Sequence, residues 1–367
     1  MKWKIGIGFT SKCNMKCKFC YSKKYRNIKS NKINYEKLLE FISYNRGNID
    51  AINYGTGECV LEDKWWDFIQ EVRRLNKEIK QGITTNGSLY VKVRRDGRKE
   101  ILKNLINDVD ISIDLANPNE HNFLRGHPKA FEFATKSLAI CDELDIEKSI
   151  VMVATPKTFQ LNNLEKLVEL CNQYHCNLRI NIYRPISVSK NQFIISPDQL
   201  YNGLIFLLKH MKILSISDNL FSSLLGEKKY KGDFTGYSSC RILNNGFITP
   251  GTYLITKGWF STNIFDNPYC DLDNLHNTPQ FRRILLSPIP QKCLNCEFMT
   301  YCRGGSYDRR WLFHKTLELP DPYCPFYLGK ENPFRNISLN YSSKNSLLVH
   351  DGYLPTMIFT PHNETIW

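Results

Sequence analysis

The sequence predicts an α/β fold, a partial (β/α)6 TIM-like barrel followed by a smaller loop-rich domain. Strand-like and helix-like segments alternate six times in the first 213 residues. That pattern belongs to parallel strands joined by right-handed crossovers. After Leu214 the alternation gives way to Gly, Pro, Asn and aromatic residues, and cysteines, dense near the N-terminus, reappear. These observations divide the chain into a barrel at 1–213, a cysteine-bearing domain at 214–330 and a C-terminal tail at 331–367.

The elements follow in order. Lys4–Phe9 is an apolar strand, and a cysteine loop follows it. Asn34–Ile42 has the spacing of an amphipathic helix. Ile49–Tyr54 is a second strand, ending in Gly55-Thr56-Gly57-Glu58, and Trp65–Leu75 returns to helical spacing. Gly82–Thr85 is a short third strand closed by the turn former Asn86-Gly87. Val109–Asp114, Ser149–Ala154 and Asn177–Tyr183 are strands four to six, with helices at Phe131–Leu144 and Leu164–Tyr174 between them. Pro197-Asp198 opens a helix reaching about Met211. In the tail, Ser346–Val349 and Thr356–Phe359 read as short strands. In a fold of this type the loops at the strand C-termini carry the chemistry.

Composition narrows the function class. At 42% hydrophobic and 23% charged, the chain can bury a sizeable core and is not disordered. No apolar run is long enough to cross a bilayer, which excludes a helical membrane protein. Met1-Lys2-Trp3-Lys4 enters a strand with no signal-peptide core, so a cytoplasmic location is expected. Thirteen cysteines there are metal ligands, reactive thiols or core filler rather than disulfides. The net charge of +13 suggests an acidic partner, or simply a solvated basic surface.

The most informative stretch is Cys13-Asn14-Met15-Lys16-Cys17-Lys18-Phe19-Cys20, with three cysteines in eight residues. An electron-carrying iron–sulfur cluster takes four cysteine ligands. Three would leave one iron open, as a catalytic metal site requires. A zinc site lacking its fourth ligand, or a chance cluster of buried thiols, would explain the spacing less fully.

This C-x3-C-x2-C run, placed directly after the first strand of a six-unit βα series, resembles the radical S-adenosylmethionine (SAM) superfamily. The resemblance implies a 4Fe–4S cluster on Cys13, Cys17 and Cys20, with the amino and carboxylate groups of SAM on the open iron. It implies that Phe19 lies against the adenine. Gly55-Thr56-Gly57-Glu58 looks like the family's glycine-rich turn, with Thr56 as the departure; Glu58 would then pair with the SAM ammonium. Ser112 and Asp114, ending strand four, would meet the ribose or carboxylate. Arg179 and Arg184 would reach a carboxylate of SAM or substrate.

Cys293-x2-Cys296-x5-Cys302, followed by Cys324, looks like the SPASM extension of peptide-modifying members, which normally holds two auxiliary clusters. Cys240 and Gly246 match its opening. Gly251 and Ser306 stand where two further cysteines belong. The resemblance therefore implies a loop-rich iron–sulfur domain with one auxiliary 4Fe–4S cluster, on Cys293, Cys296, Cys302 and Cys324, and loss of the inner one.

Six cysteines remain. Cys141, Cys171 and Cys176 read as core filler. Cys59, beside Glu58, and Cys240 and Cys270, near the lost cluster, are candidate hydrogen-atom donors. The expected substrate is a ribosomally made precursor peptide with an acidic leader, and the expected outcome a crosslink or other oxidative modification. An electron donor such as flavodoxin or ferredoxin is implied. The alternatives are a peptide epimerase with a cysteine donor, an enzyme of aminoglycoside-type small molecules, and a zinc-bearing nucleic-acid binder. The last is disfavoured, since it leaves the first cysteine run unexplained.

Overall fold

A computed structural model describes residues 2–23, 33–186, 188–227, 232–344 and 348–362. Six parallel strands stand side by side in chain order: β1 (Trp3–Gly8), β2 (Ile49–Gly55), β3 (Lys80–Thr85), β4 (Asp108–Ser112), β5 (Glu147–Ala154) and β6 (Asn177–Ile182). Their residues are almost continuously buried, as parallel strands covered by crossover helices must be. Those helices include Tyr35–Asn45, Asp63–Leu75, Ala130–Glu143 and Leu161–Gln173. The first is capped by Asn34, whose side chain accepts from the Lys37 amide at 3.1 Å. The predicted series is thus present, and the sheet is not closed.

Short helices at Leu89–Asp96, Lys99–Leu105 and Pro118–Arg125 escaped the sequence reading. Each has only seven or eight residues, too few for a periodic pattern.

The sheet continues beyond the six strands on both sides. Next to β1 lies β8 (Ser239–Ile242), parallel to it, and then β9 (Ile248–Thr249). Next to β6 lies β10 (Met357–Thr360), antiparallel, and then β7 (Lys212–Ile216) at the edge. One sheet therefore runs through all three sequence segments. The tail strand at Thr356–Phe359 is displaced by one residue from its predicted place. The strand expected at Ser346–Val349 lies partly outside the described residues, and Leu348 and Val349 are not extended in a ladder.

Buried ion pairs hold the loop-rich region together and fasten it to the barrel. Arg309 is fully buried between Asp218 and Asp321, at 2.7 Å from the latter. Arg184, just after β6, pairs with Asp308 at 2.8 Å. Breaking one partner of such a pair strands a buried charge.

Ile358 is fully buried in β10, between Arg179 of β6 and Ser215 of β7. Ile358→Ala should destabilise the fold by about 2–5 kcal/mol in chemical denaturation. A change below about 0.5 kcal/mol would mean that β10 is not an integral strand.

Candidate active site

The cysteine loop has little regular structure of its own and is held by the ends of the neighbouring strands. After β2, Thr56 and Gly57 both take left-handed backbone angles, with φ of 69° and 70°. A Cβ on Gly57 would lie 2.5 Å from the carbonyl oxygens of Lys12 and Thr10, so only glycine lets the loop pack there. The Glu58 amide donates to Lys12 O at 2.7 Å. After β3, Asn86 donates through Nδ2 to Asn14 Oδ1 at 2.9 Å and lies 3.6 Å from Cys13 Sγ. After β4, Arg125 O accepts from the Lys16 amide at 3.1 Å, and Leu124 O from the Lys18 amide at 3.0 Å.

Arg125 carries charge to this loop. Its guanidinium pairs with buried Asp114 at 2.6 Å, stands 3.9 Å from Cys17 Sγ and lies over the Phe19 ring at 5.3 Å. Burial pushes the Cys17 thiol up, and Arg125 opposes that shift. A cation beside the sulfur suits a thiolate ligand.

Cys13, Cys17 and Cys20 line one cavity at the C-terminal ends of the strands. Phe19, Gly55, Thr56, Gly57, Ser112 and Arg179 line it too, so the structure brings together most of the residues singled out from sequence. Phe19 packs with Leu115, Leu124 and Tyr183 on one flank.

Several expected contacts are corrected. Glu58 does not line the cavity; it is buried and accepts from Thr85 Oγ1 at 2.8 Å and the Asn86 amide at 2.6 Å. It braces the β3 turn rather than meeting a ligand ammonium. Burial pushes its carboxyl up to about 7, against those two hydrogen bonds. Asp114 is likewise withdrawn, holding Arg125 and accepting from the Val153 amide at 3.0 Å. Arg179 faces the cavity but is already paired with Asp110 at 2.9 Å, and Arg184 with Asp308. None of the three candidate hydrogen donors lines the cavity. Cys59 and Cys240 lie in the apolar core, where burial drives both thiols upward, and half-buried Cys270 sits beside Asp271. Side chains alternate along a strand, so Arg241 facing the cavity turns its neighbour Cys240 away.

The sequence reading missed Asn14, Ser88, Arg241, Thr252, Tyr253, His350 and Tyr353. Ser88 directly follows the Asn86-Gly87 turn that the sequence does mark. His350 and Tyr353 come from the aperiodic tail, where no local signal exists. His350 faces Asp110 through Nδ1, and its Nε2 lies 3.5 Å from Thr84 Oγ1.

The second cysteine set also converges. Cys293, Cys296, Cys302 and Cys324 line one apolar cavity with Leu220, Phe298 and Phe326. Buried Arg310 is close enough to feel Cys293 and Cys302, and its Nη2 has no hydrogen-bond partner. An all-thiolate set beside a buried cation fits an anionic iron–sulfur cluster. Around a single zinc, sulfurs would stand about 3.8 Å apart. Among the described residues, Asp108, Asp110 and His350 are the one group of three ligand-type side chains with donor atoms all within 4.8 Å, so neither cysteine set is contracted to that size. Where the inner cluster would sit, Ser306 donates to Asp308 at 2.5 Å, and a Cβ on Gly251 would meet Thr235 at 2.8 Å.

Residues 7–171 match the Radical SAM superfamily, so the first part of the chain is a radical SAM domain. Among curated proteins, GTP 3′,8-cyclase of Aliarcobacter butzleri is 31% identical over 117 residues, which are 31% of this chain and 35% of that one. The chain thus spans about a third of the length of that relative. Solved structures resemble nearly the whole chain. Streptococcus suis SuiB bound to its precursor peptide SuiA superposes with a TM-score of 0.66 at 18% identity, over 88% of this chain and 76% of that one. anSMEcpe with bound AdoMet gives 0.71 at 20% identity, over 91% and 92%. At these identities the likeness shows the fold.

Glu58 offers a test of the brace. Its folded pKa of about 7 lies above the ordinary glutamate value of 4.5. The neutral form is therefore favoured by folding, and stability falls as pH rises from about 4.5 through 7. Relative to Glu58→Gln, wild type should lose roughly 3 kcal/mol across that window and nothing further above it. Urea denaturation of both proteins between pH 4.5 and 8 measures this; a constant difference would refute it.

Proposed function

We propose that this chain is a radical SAM enzyme that takes a hydrogen atom from a ribosomally made peptide and modifies it oxidatively. Cys13, Cys17 and Cys20 would hold the catalytic 4Fe–4S cluster, which with SAM supplies a 5′-deoxyadenosyl radical able to attack an unactivated C–H bond. Phe19 would cover the adenine, the backbone of Gly55-Thr56-Gly57 would receive the methionyl group, and Ser112 the ribose. Cys293, Cys296, Cys302 and Cys324 would hold one auxiliary cluster, and the segments 1–213, 214–330 and 331–367 would be barrel, SPASM-like domain and tail.

The observation that carries this reading is the single cavity. It joins the three cysteines, the Gly55–Gly57 turn and strand ends β4 to β6. Its lining reaches from the cysteine loop and the strand ends to Arg241, Tyr253 and Tyr353, beyond the groups expected to hold SAM. A peptide substrate is supported by the shared fold, since SuiB binds a precursor peptide and anSMEcpe has been captured with AdoMet and the Kp18Cys peptide. Oxidation is favoured over epimerisation because no spare thiol faces the cavity. A basic surface suits an acidic leader, and reduction would come from a flavodoxin or ferredoxin.

Anaerobic reconstitution should give about eight irons per chain. Zinc without iron would restore the zinc-protein reading. The Cys13/Cys17/Cys20 triple-Ala variant should retain about four irons; a clearly larger number would mean that the inner cluster survives. Cys17→Ala should abolish 5′-deoxyadenosine formation, and continued production would refute the catalytic assignment. With a peptide encoded beside the gene, the reaction in heavy water should leave the α-carbons unlabelled. Deuterium at an α-carbon would mark an epimerase.

A further inference from the structure

Arginine in this protein's interior normally has a carboxylate. Arg125 has Asp114, Arg179 has Asp110, Arg184 has Asp308 and Arg309 has both Asp218 and Asp321. Arg241 differs. It is 2% exposed and lines the large cavity, yet among the described residues no carboxylate pairs with it. Its partners are neutral hydroxyls: Thr56 Oγ1, and Tyr353 Oη at 3.3 Å from Nη1. Those hydroxyls are themselves tied in. Tyr353 bonds Thr252 Oγ1 at 2.7 Å, and Tyr21 bonds Thr56 Oγ1 at 3.0 Å. The nearby groups that raise the Arg241 pKa are Tyr21, Tyr353 and Tyr253.

A buried cation without a counter-ion is costly, and folded proteins rarely keep one unless a ligand completes it. The strand has been cut back to admit it. Gly6 is the residue of β1 paired with Arg241, and a Cβ there would lie 1.6 Å from Tyr353 Oη and 2.8 Å from Arg241 Nη1. Glycine within a strand is unfavourable and marks a place where something must approach closely. Here it makes room for a guanidinium and a phenol, both facing the cavity.

We propose that Arg241, with the Tyr353 and Thr252 hydroxyls around it, binds a carboxylate of the substrate peptide and fixes which residue is presented to the radical. The proposal rests on the reading that the cavity holds a substrate beside SAM. Arg241 Nη2 reaches Thr56, in the turn expected to receive the methionyl group of SAM, but its Nη1 side is framed by Tyr353 of the tail, with Thr252 and Tyr253 of the loop-rich region beyond, and substrate is therefore the favoured owner of the carboxylate. The expected SAM contacts Phe19 and Ser112 come from the cysteine loop and β4. A planar guanidinium takes a carboxylate through two parallel hydrogen bonds, which sets orientation as well as affinity.

The test uses reconstituted, SAM-loaded protein and three probes: acetyl-Ala-Glu-Ala-amide, its Gln isostere, and acetyl-Ala-Ala-Ala with a free C-terminal carboxylate. Calorimetry should show one of the two carboxylate peptides binding about tenfold or more tighter than the Gln peptide, the magnitude of a charged hydrogen bond. Which one does so identifies the source as a side chain or a C-terminus. Arg241→Gln should bring the ratio to about one, Arg241→Lys should keep part of it, and Tyr353→Phe, which removes one hydroxyl, should reduce it. SAM affinity should change by less than about twofold. Equal binding, or no binding, of charged and neutral peptides overturns the proposal. So does a preference that survives in Arg241→Gln, or a tenfold loss of SAM affinity in that variant, which would give the carboxylate to SAM. The binding ratio needs no radical chemistry. Uncoupled 5′-deoxyadenosine formation, assayed on the same protein, reports separately on the function proposed above.

Discussion

The site depends on one buried ion pair, Arg125 with Asp114. The cysteine loop cannot order itself, because its backbone finds few partners within its own eight residues. Arg125 supplies a carbonyl to the Lys16 amide, a cation to Cys17 and a lid to the Phe19 ring. Asp114 makes this possible by neutralising the guanidinium and by tying itself to the Val153 amide on β5. The charge beside Cys17 is thus fixed by two strands rather than by a mobile side chain, which is the kind of preorganisation a metal site requires.

Much of this was legible in the sequence. Strands β1 to β6 announce themselves as apolar runs between turn formers, and thiolates in close spacing point to one centre without any structure. The carboxylates misled because sequence order says that Glu58 and Asp114 end strands, not which way they point. Both point inward and are satisfied by the protein itself, Glu58 by Thr85 and Asn86, Asp114 by Arg125 and Val153. Cys240 misled for a related reason. It stands next to a cavity residue in sequence, and the two-residue period of a strand places it on the opposite face. The tail's strand was legible to within one residue, but its part in the site was not, because His350 and Tyr353 are loop residues whose neighbours are about a hundred or more positions away.

The interior is unusually rich in arginine, and the pairing pattern separates two uses. Arg309 ties the loop-rich region together through Asp218 and Asp321, and Arg184 welds it to the barrel through Asp308. Among the described residues Arg310 and Arg241 form no ion pair with a carboxylate; one lies near Cys293 and Cys302, the other faces the large cavity. Charge left uncompensated by the protein is concentrated where a bound group is expected.

The position of β10 sets an order of events during synthesis. Ile180 in β6 stands opposite Met357, so that edge of the sheet stays open until the ribosome has released residues far beyond the barrel. An exposed edge recruits other strands, and non-local pairing is slow to form. His350 and Tyr353, which precede β10, complete the cavity wall at about the same moment. The nascent protein therefore passes through a stage in which the cysteine loop is already made and its chamber is still open on the tail side.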